Sequence, residues 1–301
     1  MVHRNPLTGE VMDAPYEGRV FAVTINNVYD ALPHHGISQA DMYFELFVND
    51  YCTRGLAFFS NIAEMKSVGP IRSYRHNFND ICLGYDTIVL HAGNEHLVDG
   101  VDHYRVDYAY GYRDTDRYYN KDYAWEHTLF VTGEAAIELS KAQNYDLNRK
   151  DVDYGMLFAE VGTPAGGTTA NEIEIIFTLK GRTKATTMKY DADLGKYVYW
   201  QYGIEMIDEN NNQKEAFENV IVMLVHTYNY VENDNLYHIA ELEGTGEGYY
   251  ACNGQIIPIQ WSRDSKTDPF TYTLADGTPL TMGIGSTFVA IAPTESPVNV
   301  K

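Results

Sequence analysis

Ala40-Asp41-Met42-Tyr43-Phe44-Glu45-Leu46-Phe47-Val48 is the stretch on which the fold turns. Ala40, Met42, Phe44, Leu46 and Val48 share one side of a two-residue period, and Asp41, Tyr43 and Glu45 take the other, as in a strand with one buried face. Asn49 and Asp50 then read as a two-residue turn, and Tyr51 to Phe59 as the returning strand of a hairpin. In that register Val48 faces Tyr51, and Glu45 stands opposite Arg54 on a shared face. A slip of one residue would break the pairing, because strand side chains change face at every step.

Outward from the hairpin, Arg19 to Asn26 reads as a preceding strand, and Ile71 to Leu83 as a helix after Gly69-Pro70. Thr87 to Leu90 reads as a buried strand ending at His91-Ala92-Gly93. Helices are expected over Glu95 to Tyr104 and, with an acidic first turn, over Glu134 to Gln143. Val161 to Ala170, VGTPAGGTTA, has no hydrophobic period and marks a boundary. Beyond it the pattern changes to short alternations at Glu172 to Leu179, Lys196 to Tyr202, Asn219 to Tyr230 and Tyr237 to Leu242. Asn253-Gly254 and Asp276-Gly277 supply hairpin turns, and Gly244-Thr245-Gly246-Glu247-Gly248 reads as a further turn between strands. The expected fold is α+β: a mixed α/β domain over 1–165, then a mainly antiparallel β domain over 166–301.

Composition narrows the function. The chain has 301 residues and 45% hydrophobic content, enough for real cores. No apolar run is long enough to span a membrane, and Met1 to Glu10 lacks the basic start of a signal peptide, so the chain as given reads as soluble. With 42 acidic against 22 basic residues, its charge of -20 repels nucleic acid. Cys52, Cys82 and Cys252 are widely spaced and suggest neither a disulfide framework nor a zinc site. His91, His96 and His103 with Asp99 and Asp102 do not match a ligand motif. No nucleophile elbow, phosphate loop or redox motif occurs, and neither a cofactor nor a metal is expected. The 25 tyrosines suit half-buried sheet surfaces and saccharide-binding faces alike.

In so acidic a chain, Gly69-Pro70-Ile71-Arg72-Ser73-Tyr74-Arg75-His76 stands out. Two arginines three residues apart at a helix start can face one way, and guanidinium forks bind phosphate or carboxylate at two points. The bland alternative is that Arg72 and Arg75 brace the domain by pairing with Asp41, Glu45 or other acids. Asp41 and Glu45, about 13 Å apart along a strand, are too far apart to share a proton. They could orient arginines, or one could act as a base.

A family resemblance adds to this reading. Asn5-Pro6-Leu7-Thr8-Gly9, Ser38-Gln39-Ala40-Asp41 leading to Glu45, Thr53-Arg54, and Gly69-Pro70-Ile71-Arg72-Ser73 with Arg75 together resemble the YerB-like bacterial lipoproteins, a two-domain family of unknown function. The likeness continues through His91-Ala92-Gly93, Tyr112-Arg113-Asp114, Glu126-His127-Thr128-Leu129, Asn219-Val220-Ile221-Val222, Trp261, Thr271-Tyr272 and Gly285-Ser286-Thr287-Phe288. The chain departs from it at Glu126 to Phe130, where the family has a Pro-His-Asn-Leu-Tyr-like segment, and at Asp50-Tyr51, which replaces a glycine pair. The resemblance implies an extracytoplasmic protein, anchored through a lipid on an N-terminal cysteine that is absent here, the leader having been removed. At fold level only, the order hairpin, arginine loop, helix, strand is similar to the LytR-CpsA-Psr envelope phosphotransferases, whose arginines grip a lipid pyrophosphate.

These observations leave three functions open. The first is binding of an anionic small molecule or an envelope glycan or lipid, with Asp41, Glu45, Arg54, Arg72, Ser73, Arg75, His91, Arg113 and His127 as the ligand-binding set. The second is phosphotransfer or hydrolysis on such a ligand, with Asp41 or His127 as catalytic base. The third is a protein-interaction module using the tyrosine-rich second half.

Overall fold

The computed structural model describes residues 2–49, 52–107, 110–150, 152–162, 164 and 166–301. Taking strands of four residues or more, the N-terminal half contributes β1 (Phe21–Asn26), β2 (Met42–Asn49), β3 (Cys52–Phe59), β4 (Ile88–His91) and β5 (Asp102–Arg105). Its α-helices are α1 (His76–Gly84), α2 (Thr115–Asn120) and α3 (Gly133–Ala142). The C-terminal half contributes β6 (Glu172–Leu179), β7 (Arg182–Asp191), β8 (Lys196–Gln201), β9 (Asn219–Val225), β10 (Thr227–Glu232), β11 (Asn235–Ala240), β12 (Gly244–Cys252), β13 (Gln255–Arg263) and β14 (Thr287–Pro293). The molecule is mostly β, with few helices.

One large sheet runs in the order β13-β12-β9-β14-β2-β3-β1-β4-β5. Near the C-terminus, β14 lies parallel to both β9 and β2, setting Val289 opposite Phe44 and making the sheet continuous between the two halves. A second sheet, β8-β7-β6, packs on one of its faces: Tyr43, Phe47, Val23 and Ile25 share a core with Ile173, Phe177 and Tyr199. On the other face, Met42, Phe44, Leu46, Leu56 and Phe58 pack with Phe78 and Ile81 of α1 and Tyr237 of β11. The alternation in β2 therefore sorts two cores rather than core from solvent. Phe44 and Phe58, with ring centroids 5.1 Å apart, each contribute about 1.5–3 kcal/mol by burial.

The hairpin register differs from the sequence expectation. Phe47 pairs with Thr53, Leu46 with Arg54 and Glu45 with Gly55, while Asn49 pairs with Cys52. The register shifts between Phe47 and Asn49, so Val48 is the extra residue of a bulge. The expected turn at Asn49-Asp50 and the Val48–Tyr51 pair involve Asp50 and Tyr51, which lie outside the described residues. The one-residue difference sends Glu45 and Arg54 to opposite faces. Gly55 is small for a reason: a Cβ there would lie 2.1 Å from the Tyr43 hydroxyl.

Three other expectations change. Residues 71–75 are not helical, and α1 starts at His76 after an extended Arg75 (φ -145°, ψ 154°). The helix expected over 95–104 is a 3-10 turn at Glu95–Leu97 followed by β5, because Asp102 to Arg105 pair with β4. Gly244 to Gly248 is the start of β12 rather than a turn: Gly246 lies under the Trp261 indole and Gly248 against the Val222 carbonyl, where side chains would collide. The helix at 133–142 and the Asn253-Gly254 turn, with φ of 50° and 72°, agree with the sequence.

Candidate functional site

Strands β1, β2, β4 and β5 all run in one direction, so Asn26, Asn49, His91 and Arg105 end along one rim of the sheet. The first residues of the antiparallel β3, Cys52 to Arg54, reach the same rim. Carboxyl ends of neighbouring parallel strands are where α/β sheets hold their ligands. Residues 68–73 lace across this rim. Val68 N donates to Val131 O, Ile71 N to Leu129 O and Arg72 N to Thr24 O, while the Arg72 carbonyl accepts from Ala92 N and the Thr24 hydroxyl. Gly69 makes the path possible, since at its φ of 149° a Cβ would lie 2.8 Å from Leu129 O. The backbone of Arg72 is thus fixed from both sides.

Arg54, Arg72 and Arg75 meet at this rim, brought together by a strand, an extended loop and a helix N-cap rather than by one helix face. Arg54 is 5% exposed and donates Nη1 to Ser73 O at 2.5 Å. Arg75 donates to Tyr74 O at 2.7 Å and places its guanidinium 5.9 Å from the centre of the Tyr237 ring, and its Nε is buried with no described partner. Arg72 pairs with Glu126 at 3.3 Å. Among the described residues no acid lies within ion-pair distance of Arg54 or Arg75. Burial first, and then the charges of Arg75 and Arg72, push the Arg54 guanidinium well below its ordinary value. A guanidinium does not release its proton at physiological pH, so Arg54 stays charged at a place where burial first, and its like-charged neighbours second, disfavour that charge.

Beside the arginines stands His127, 6% exposed at the end of a 3-10 turn. Asn26 Nδ2 lies 2.9 Å from its Nδ1, and Glu126 Oε1 lies 3.9 Å from its Nε2. Burial lowers its pKa, with the Arg72 charge acting in the same sense, so the ring is neutral near pH 7. With the Asn26 amide donating to Nδ1, the proton sits on Nε2 and that nitrogen is a donor. This tautomer suits holding an anion rather than abstracting a proton. Arg113 lies at the edge of the group, stacked 4.9 Å over Trp125, bonded to Trp125 O and within the field of Arg72.

Other residues expected at a site lie elsewhere. Glu45 is fully buried on the opposite face, bonded to Lys184, Thr53, Asn27, Thr186 and Tyr199, and does not meet Arg54. Asp41 is bonded to Ser60 N and Asn5, away from the arginines, and burial raises its pKa to about 6. His91 is buried beneath the rim against Gly93 O and His103, and burial lowers its pKa to about 4. Ser73 contributes its carbonyl to Arg54. Among the described residues no cluster of three or more His, Cys, Asp or Glu is arranged to hold a metal ion. No helix among them is long and apolar enough to cross a membrane. Sequence reasoning missed Asn26 and Tyr237. Asn26 ends a run of strand-formers and was open to notice, whereas Tyr237 arrives on the β10–β11 hairpin from far along the chain.

Two family profiles match the chain, the N-terminal domain of a protein of unknown function (DUF3048) over residues 7–146 and the corresponding C-terminal domain over residues 175–289. The interval between the matches contains Val161 to Ala170. A protein of Bacillus subtilis (strain 168) named "Putative lipoprotein YerB" is 25% identical over 297 residues, covering 96% of this chain and 86% of that protein. The crystal structure of YerB from Bacillus subtilis superposes with a TM-score of 0.83 at 22% identity, covering 98% of this chain and 99% of the other, a likeness of fold.

Proposed function

The chain belongs to the DUF3048 family through both of its domains, and from its own geometry we propose that it binds a phosphate-bearing ligand at the Arg54–Arg72–Arg75 rim. The observation that carries this is the convergence of three guanidiniums with Glu126 as the one described acid in ion-pair contact. Partly desolvated and mutually repelling, such a cluster is costly, and an anion would offset that cost. Planar forks with donors to spare suit the tetrahedral oxygens of phosphate, and a neutral His127 adds a donor at the edge. The name of the Bacillus relative supports placing this ligand in the cell envelope, the protein being held there by a lipid anchor. Binding is favoured over turnover because His127 presents a donor to the cluster and Asp41 is remote from it.

The test is titration with inorganic phosphate, followed by calorimetry. Arg72, whose side chain is 31% exposed, tolerates Arg72→Gln without loss of core packing. Removing one charge-assisted contact of about 1.5–3 kcal/mol weakens phosphate binding roughly 10- to 100-fold. The melting temperature is expected to stay within about 2 °C, as for surface changes. Equal loss of stability and binding would return the arginines to a structural role.

A further inference from the structure

Next to the arginine rim, and sharing His127 with it, is an open groove of 610 Å³ lined by Tyr29, Asp30, Tyr123, Asp122, Glu205 and Met206 among others. We propose that this groove is a saccharide subsite and that the ligand class is a glycosyl phosphate, with its phosphate on the arginines and its sugar in the groove. The proposal rests on the anion reading above and extends it.

Four observations support it. The first is continuity: Glu126 lies 3.3 Å from Arg72 and 3.9 Å from the His127 ring that lines the groove, so one ligand can touch both places. The second is chemistry. Sugars offer hydroxyl donors and flat C–H faces, which match carboxylate acceptors set among aromatic rings. Tyr29 is 59% exposed, and its ring meets Tyr202 edge-on at 5.7 Å, which holds it in place while leaving area uncovered. The third is charge. Asp30 and Asp122 line the groove with no cation in ion-pair contact among the described residues, Glu205 is shared with Lys214 at 3.5 Å, and the amine of Lys121 is taken by Glu209 at 2.5 Å. A second anionic group would be repelled, so the part of the ligand seated here is uncharged and rich in hydroxyls. The fourth is size, since the volume falls in the usual range for small-ligand clefts and exceeds what a compact ammonium head group would fill.

Calorimetry on the whole chain decides the matter with four probes: inorganic phosphate, glucose, glucose 1-phosphate and phosphocholine. Glucose 1-phosphate is expected to bind roughly tenfold tighter than inorganic phosphate. Tyr29→Ala, an exposed change that spares the fold, is expected to abolish that gain and leave phosphate binding untouched. UDP-glucose added as a fifth probe separates a terminal phosphate from a bridged one, and tighter binding than phosphate by either sugar compound supports the proposal. If phosphate binds but neither sugar compound binds tighter, or if the gain survives Tyr29→Ala, the subsite is wrong and the anion reading stands. A preference for phosphocholine overturns the saccharide assignment. If inorganic phosphate itself does not bind, the anion reading fails, and this inference fails with it.

Discussion

Glu45 and Arg54 lie on adjacent strands of one hairpin and on opposite faces of one sheet, and both are buried, at 0% and 5% exposure. Their surroundings differ in kind. Glu45 is answered from every side: Lys184, Thr186 and Tyr199 come from the second sheet, Thr53 from the first, and Asn27 from just past the end of β1. Arg54 faces Arg72 and Arg75, a loop carbonyl and no described acid within pairing distance. The first region is closed and specifies how two sheets dock. The second sets three guanidiniums against one described acid, Glu126 on Arg72, and leaves Arg54 and Arg75 with no described acid within pairing distance. Burial alone therefore does not distinguish the two regions, whereas the balance of partners does.

The sharpest way to break that contrast is to open the closed side. Lys184→Met leaves a carboxylate in the core with hydroxyl and amide partners only, and removing one member of a buried pair costs about 3–5 kcal/mol. Urea unfolding should show this loss, and Glu45→Gln combined with Lys184→Met should recover most of it, because no uncompensated charge is left inside. A single-variant loss below about 1 kcal/mol would mean that the network does not secure the docking. Phosphate affinity is expected to be unchanged in the double variant, since the pair lies on the other face.

Asp41 is intermediate between the two regions, a half-buried carboxylate held by Ser60 N and Asn5 with no cation in contact among the described residues. Its folded pKa, about 6, lies above the ordinary 3.8, so the folded chain holds this proton more tightly than the unfolded chain. Its contribution is therefore fully present below about pH 4 and is lost as pH rises through 6, amounting to at most roughly 3 kcal/mol. Asp41→Asn should flatten the fall in stability between pH 4 and pH 6 relative to the parent chain. An unchanged slope would mean that Asp41 is ionised at little cost, like a fully paired charge.

The sequence revealed the elements better than their meetings. Period-two patterning located β2, β3 and β6 because such signals are local, whereas Gly69-Pro70 reads as opening a helix at Ile71, five residues before α1 begins. The Val48 bulge shifted the pairing by one residue, and no local pattern announces a bulge, so the Glu45–Arg54 pair derived from it was lost. Arg72 and Arg75 were picked out for a helix face they do not share. Their convergence depends on hydrogen bonds to Thr24, Leu129 and Ala92, which are distant in sequence. The partners of Glu45 at Lys184 and Tyr199 were invisible for the same reason, since two sheets must dock before those side chains approach.

The smallest expected effect is also the most discriminating. Arg54→Met replaces a buried guanidinium by an apolar chain of similar reach, leaving the Ser73 carbonyl without its donor but relieving the repulsion among three like charges. These opposing consequences are each of order 1 kcal/mol, so stability should remain within about 1 kcal/mol of the parent despite the burial of the site. Phosphate binding, by contrast, should be lost together with the innermost fork. A buried arginine whose removal barely changes the unfolding midpoint but eliminates anion affinity is retained for its ligand. A loss of 3 kcal/mol or more, as at Lys184, would instead make the two faces of the sheet alike and the arginine rim a second closed network.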